Sequence, residues 1–141
     1  MNSEQFFEAF DTLVLSSEIV LDRPKGSLHP RYPGIRYPLD YGYLRGTQSG
    51  DGDGIDMWID SMTERRVTGV VLCVDLVKRD SECKVLYACT REEMQQVLAF
   101  HQQGMQSALL VVRTYHSRKE MCVEIVLYGS MIDEEEGIDN I

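Results

Sequence analysis

Alternating apolar and polar residues dominate the chain and predict mostly β-strands. Segment 55–59 alternates with a period of two, which is typical of a strand with one buried face, so we expect Asp56 to face away from the apolar side. Glycine and aspartate fill residues 49–54 just before it and indicate a loop. Further strand-like runs are Leu13 to Leu21, Val67 to Val77, Cys83 to Cys89, Ala108 to Tyr115 and Met121 to Tyr128.

Two segments carry helical signals. An Asn-Ser pair at 2–3 can cap a helix in which aromatic residues recur between positions 6 and 10. Thr90 followed by Glu93 forms a capping box, and the helix it starts should end by Gly104. The sequence therefore predicts helices that flank a larger number of strands.

The order of these elements predicts one domain over residues 1–141. It is mainly β with flanking helices, an α+β protein, and a small OB-like five-stranded β-barrel with the helices outside is the expected architecture. A β-sandwich is the alternative. Pro24 through Pro38 should be irregular, and the acidic tail at about 133–141 should be solvated.

Composition and charge narrow the range of possible binding partners. A net charge of −9 disfavours nucleic acid and anionic membrane surfaces, although divalent cations bound in a site would reverse the local field. Apolar runs such as 70–74 are too short for a membrane helix, and the polar, acidic start lacks the pattern of a secretory signal. We expect a cytoplasmic protein with buried free cysteines.

The strongest candidate for chemistry is the loop that carries Asp51, Asp53 and Asp56. Its glycines let the backbone turn tightly, and hard carboxylate oxygens suit Mg²⁺ or Mn²⁺. Taken alone, the segment is better explained as a surface turn whose Asp-Gly pairs satisfy local turn geometry. An EF-hand is excluded because its sixth position holds Asp56 instead of glycine and its twelfth holds Met62 instead of glutamate.

Two further stretches strengthen the metal and phosphate interpretation. Asp80, Glu82 and Lys84 alternate at the start of a strand and should project from one face, although a solvated hairpin with local ion pairs explains them too. In segment 37–43, tyrosine hydroxyls could bind phosphate oxygens, or the segment could be an aromatic core loop.

These motifs, in this order, resemble those of soluble (family I) inorganic pyrophosphatases. The resemblance covers roughly residues 19 to 90, and its most specific part is an Asp-x-Asp-x-x-Asp signature ten residues after a Tyr-Pro-x-x-Tyr-Gly-Tyr segment. The matching motifs are Leu21-Asp22-Arg23-Pro24, Tyr37-Pro38-Leu39-Asp40-Tyr41-Gly42-Tyr43, Asp51-Gly52-Asp53-Gly54-Ile55-Asp56 and Glu82-Cys83-Lys84.

The resemblance implies specific roles for the carboxylates. Asp51, Asp56 and Glu82 resemble the ligands of the tightest metal ion, and Glu82 stands where the family usually has aspartate. Asp53 resembles the general base beside the nucleophilic water. Ligands of metals that arrive with the substrate would be Asp22 and Asp80.

The resemblance also implies cationic and phenolic groups that hold phosphate. Lys84 and Tyr41 resemble phosphate-binding groups next to the reaction centre, and Arg31 falls where the family carries a lysine. A hairpin of the family is missing before Tyr37, so Arg36 or Lys25 would replace its arginine. A Tyr-Lys pair that the family carries in a C-terminal helix is absent from the sequence, and Pro33 replaces a glutamate.

The implied function is Mg²⁺-dependent hydrolysis of inorganic pyrophosphate to two orthophosphates by a metal-activated water, with Mn²⁺ as a second metal. The expected partners are a small anionic phosphate substrate and further copies of the chain. Two alternatives remain open. The chain could hydrolyse a larger diphosphate, because the missing hairpin would open the site, or it could be a non-catalytic relative that binds metal or phosphate.

Overall fold

The computed structural model describes residues 2–115 and 121–126, so the acidic tail at about 133–141 lies outside the described residues. The helices and strands follow one another in this order: α1 Ser3–Leu15, β1 Glu18–Arg23, β2 Asp40–Arg45, β3 Ile55–Ile59, β4 Val67–Asp75, β5 Asp80–Tyr87, α2 Arg91–Phe100, β6 Gln106–Tyr115 and β7 Met121–Val126.

Helix α1 is longer than the sequence pattern predicts. Asn2 caps it in a capping box with Gln5, and Phe7 and Val14, two turns apart, are both buried. The prediction of a strand from Leu13 to Leu21 is therefore wrong in its first part. Its apolar residues continue the buried stripe of the helix, and the strand β1 begins only at Glu18.

The strands that the structure describes form one mixed sheet of seven, in the order β1-β2-β3-β5-β4-β6-β7. Neighbours pair antiparallel except β3 and β5, which run parallel with Met57 opposite Val85. The mainly β, α+β class is confirmed. The expected closed five-stranded barrel is not confirmed, because β6 pairs with the outer edge of β4 and the described sheet is open.

One helix covers each face of the sheet. Phe7 and Val14 of α1 pack with residues such as Val85 on one face, and Val97 and Leu98 of α2 pack on the other. Both faces of the central strands are therefore buried. Successive residues of each central strand point to opposite faces, so the same strands supply apolar side chains to both cores.

Strand β3 shows the consequence most directly. Met57 points into the core under α1, whereas Trp58 points into the core under α2, and both are fully buried. Asp56 faces away from the side that carries Met57, as predicted, but the expectation of a half-buried strand is wrong, because Trp58 on the Asp56 side is buried too. Asp56 thus lies at the end of a buried face.

Helix α2 begins at the predicted capping box of Thr90 and Glu93 and ends at Phe100. Directly after it, the buried ring of His101 accepts a hydrogen bond from the indole of Trp58, with 3.1 Å between the nitrogen atoms. Burial lowers the pKa of His101 to about 3, so the ring is neutral. This neutral pair ties α2 to the middle of β3.

The connection between β1 and β2 is irregular, as predicted. Residues 24 to 38 contain no strand or helix apart from an isolated bridge between Leu28 and Arg36. Cys73 and Cys89 are buried free thiols, as predicted, whereas the free thiol Cys83 is only partly buried. In the described ranges, no helix has the length and apolarity needed to cross a membrane.

Gly42 is required by close packing of β2 against β1, where it lies opposite Leu21. A β-carbon at this position would lie 2.1 Å from the carbonyl oxygen of Val20. We expect Gly42→Ala to lower the free energy of unfolding by about 3 kcal/mol, because the two strands must separate to accept the methyl group. Urea denaturation measures this change.

The matched control is Gly34→Ala, since a β-carbon at Gly34 meets nothing within 4 Å. We expect this variant to stay within about 1 kcal/mol of the wild type. Equal stabilities of the two variants would contradict the assigned strand register.

Candidate active site

A buried lysine is the centre of the candidate site. Lys84 lies on β5, and its ammonium donates to the hydroxyl of Tyr41 at 2.8 Å and to Asp56 Oδ2 at 3.0 Å. A third contact reaches Glu82 Oε2 at 2.9 Å. The strand register explains this convergence, since Lys84 and Glu82 share one face of β5 beside β3, which carries Asp56.

Charge compensation keeps this lysine protonated. Burial alone would lower the pKa of Lys84, but contacts with Tyr41, Asp56 and Glu82 outweigh it and raise the pKa above its ordinary value. Burial raises the pKa of Tyr41 in turn, so its phenol is neutral at neutral pH. The positive charge is therefore held by the two carboxylates, and the phenol serves as a hydrogen-bond partner.

The glycine-rich loop places Asp51 beside this cluster. Its carboxylate accepts hydrogen bonds from the Ser49 hydroxyl and from the backbone N–H of Asp53, 3.0 Å away. These bonds, together with an interaction with Glu82, lower the pKa of Asp51. Gly52, at φ +87°, provides the left-handed turn that brings Asp51 to the site.

Five predicted site residues therefore come together. In chain order they are Tyr41, Asp51, Asp56, Glu82 and Lys84. The carboxylate oxygens suit Mg²⁺ or Mn²⁺ in kind, and two of the carboxylates already face one positive charge. In the described part of the chain, however, no three acidic, histidine or cysteine side chains are close enough to form a complete metal site.

Three other predicted carboxylates lie around this cluster. Asp53 is exposed in the same loop, where its backbone carbonyl accepts from the backbone N–H of Ser49. Asp22 is exposed at a bulge of β1 and acts electrostatically on Tyr37, as does Asp56. Asp80 starts β5 on the same face as Glu82.

The predicted cations Lys25, Arg31 and Arg36 have other surroundings. The Lys25 ammonium lies 3.6 Å from Asp60 Oδ2, and Arg36 donates to the backbone carbonyl of Gly26 at 2.9 Å. Arg31 lines a separate cavity. Within the described ranges, none of the three forms an ion pair with the carboxylates around Lys84.

The sequence patterns missed a pair of acidic residues, Asp60 and Glu93. Burial and the neighbouring Glu93 raise the pKa of Asp60 to about 6. Burial alone would raise the pKa of Glu93, but hydrogen bonds with Asp60 and Thr90 lower it. Below about pH 6, Asp60 thus holds a proton that it shares with Glu93. The capping box revealed Glu93 only as a helix start, and nothing in the sequence linked it to Asp60.

No protein-family model, curated protein or solved structure matches this chain. The resemblance to inorganic pyrophosphatases therefore depends on the sequence motifs alone.

The Lys84 cluster predicts a large effect of removing the ammonium. Lys84→Met should lower the free energy of unfolding by about 3 kcal/mol, because Asp56 and Glu82 would face each other without a cation. The matched control is Lys25→Met, which removes an exposed ammonium 3.6 Å from the partly buried Asp60 and should cost less than about 1 kcal/mol. Denaturant titration at pH 7 measures both, and equal losses would contradict the central role of Lys84.

The acidic pair predicts a pH-dependent stability. The pKa of Asp60, about 6 in the folded chain, lies above the ordinary 3.8. The stability that protonated Asp60 contributes to the folded chain is therefore fully present below pH 4 and is lost as the pH rises through 6. Asp60→Asn keeps a neutral donor for Glu93. We expect it to be more stable than the wild type at pH 8 by on the order of 1 kcal/mol, and this advantage should vanish near pH 4.

Thermal unfolding at several pH values tests this prediction. Glu18→Gln, which alters an exposed ion pair with Arg45, serves as the control and should show no such pH-dependent gain. An Asp60→Asn advantage that is the same at pH 4 and pH 8 would contradict the shared proton.

Proposed function

We propose that the protein hydrolyses inorganic pyrophosphate to two orthophosphates in a Mg²⁺-dependent reaction. The observation that carries the proposal is the contact of Lys84 with Tyr41, Asp56 and Glu82. The resemblance implies phosphate-binding and metal-binding roles for these residues, and they lie on three different strands.

Asp51, Asp56 and Glu82 would hold the metal ion, Mg²⁺ or Mn²⁺, with Asp80 and Asp22 as further ligands. Their hard oxygens fit this ion in kind. When bound, it would lower the pKa of a water molecule and neutralise charge on the phosphates.

Asp53 is proposed as the general base. Its side chain is exposed at the edge of the site and has no hydrogen-bond or ion-pair partner among the described residues, so its carboxylate is available to accept a proton from water. Asp51 fixes the position of this residue, since its Oδ1 accepts the backbone N–H of Asp53 at 3.0 Å.

Lys84 and Tyr41 are proposed to bind the phosphate. Lys84 keeps its proton because of its neighbours, and an ammonium in a mostly buried site interacts strongly with an anionic oxygen. The neutral Tyr41 hydroxyl can donate a second hydrogen bond. Arg31, Arg36 and Lys25 remain predictions of the resemblance, since the contacts described here do not join them to Lys84.

The proposal includes the finer features that the resemblance implies. Strands β1 to β5, in the order β1-β2-β3-β5-β4 with a parallel β3–β5 pair, would correspond to the OB-like part of the fold. A cytoplasmic location and a homo-oligomeric state belong to the same proposal.

The direct test is phosphate release from pyrophosphate by the purified protein with Mg²⁺ and with a chelator. We expect metal-dependent release, and we expect Asp53→Asn to reduce the turnover number by about 100-fold or more because it removes the general base. Glu64→Gln changes an exposed carboxylate in the β3–β4 connection and is the matched control with unchanged turnover.

The outcomes separate the alternatives. No metal-dependent release from pyrophosphate by the folded protein would refute the proposed activity. Release only from a nucleoside or sugar diphosphate would favour the larger substrate, and Mg²⁺ binding without turnover would favour a binding module. Full activity of Asp53→Asn would exclude that residue as the base.

A further inference from the structure

A cavity lies apart from the Lys84 cluster. Its volume is about 620 Å³, which is within the range of small-molecule sites. Its walls come from three connections that are distant in the sequence: residues 29–35, the β4–β5 turn and the segment between α2 and β6. Convergence of separate connections is typical of ligand pockets.

The cavity carries two cations on an acidic protein. Arg31 and Lys78 enter it from different connections, and within the described residues neither side chain has a hydrogen-bond or ion-pair partner. The acidic residue in the lining, Asp75, already accepts the backbone N–H groups of Val77 and Lys78 at 2.9 and 3.0 Å. Two cations of this kind match a doubly charged anion such as a phosphate monoester.

The surroundings of His29 show the same concentration of positive charge. Its Nδ1 accepts the backbone N–H groups of Arg31 and Tyr32 at 3.1 and 3.3 Å, so the neutral ring carries its proton on Nε2. Burial, followed by the charges of Arg23, Lys78 and Arg31, lowers the pKa of His29. The cations therefore act together in the cavity, and His29 adds a neutral wall.

The remaining walls are flat or apolar. Tyr32 and Met105 line the cavity although each is more than half exposed, and Phe100 lies between them and the core. Solvent-exposed aromatic and methionine side chains at a concave site are suited to stacking on a planar group.

An aromatic layer separates this cavity from the Lys84 cluster. The ring of His29 stacks on Tyr37 with an interplanar angle of 2° and centroids 5.9 Å apart, and Tyr37 contacts Tyr41 at 5.7 Å. Tyr41 faces Lys84 on the other side. The two sites thus share a wall.

We propose that this cavity binds a small organic phosphate with a planar apolar body. Arg31 and Lys78 bind the phosphate group, while Tyr32 and Phe100 contact the planar body. This role for Arg31 differs from binding of the pyrophosphate substrate and does not depend on any hydrolytic activity.

Adenosine 5′-monophosphate is a suitable probe because it combines both groups and has no phosphoanhydride bond. Calorimetric titration in the presence of a chelator should show one binding site per chain. Adenosine and inorganic phosphate, which each lack one of the two groups, should bind at least about tenfold more weakly.

Single variants test the assigned contacts. Arg31→Gln and Lys78→Gln should each weaken binding of the probe by about tenfold, because each removes a charge-assisted hydrogen bond. Arg45→Gln is the matched control, since Arg45 pairs with Glu18 on β1, and should bind the probe like the wild type. Unchanged thermal unfolding would show that the variants are folded.

No binding of the probe at about 1 mM would overturn the proposal. Equal binding by the wild type and both folded cation variants would do the same. Equal affinity for adenosine would show that the phosphate is not recognised and would also overturn it. These results are independent of phosphate release from pyrophosphate, so this proposal and the proposed function can fail separately.

Discussion

The buried ammonium of Lys84 is the interaction on which the candidate site depends. An unpaired charge at this depth would be costly, and Asp56 and Glu82 compensate it. This requirement joins β2, β3 and β5, because the hydroxyl of Tyr41 completes the set of contacts. The same charge balance that stabilises the sheet therefore holds together the groups proposed to handle phosphate.

The sheet keeps this polar cluster next to a fully aromatic region. Tyr41 is the junction, since its hydroxyl contacts Lys84 and its ring contacts Trp58 with centroids 4.7 Å apart. Trp58 continues the layer to Phe100 at the end of α2. Apolar surroundings strengthen the electrostatic interactions of the cluster, and packing of the rings limits how far its residues can shift.

The cations of the two proposed sites differ in whether protein carboxylates already neutralise them. At the first, Lys84 is buried and already neutralised by protein carboxylates, so an anionic substrate must be accompanied by added positive charge. At the second, Arg31 and Lys78 are exposed to the cavity and can neutralise an anion directly. Lys84 is therefore suited to a metal-bound phosphate, and the cavity to a free one.

The sequence by itself determined the class of the fold, the starts of both helices, most strands and the residues of the Lys84 cluster. These depend on local periodicity and on motifs whose residue types carry their own chemistry. Only the tertiary structure decided that β6 extends an open sheet, that Asp56 shares a buried face with Trp58, and that Asp60 meets Glu93. Strand order and contacts between distant residues depend on how both helices bury the sheet, which no local pattern records.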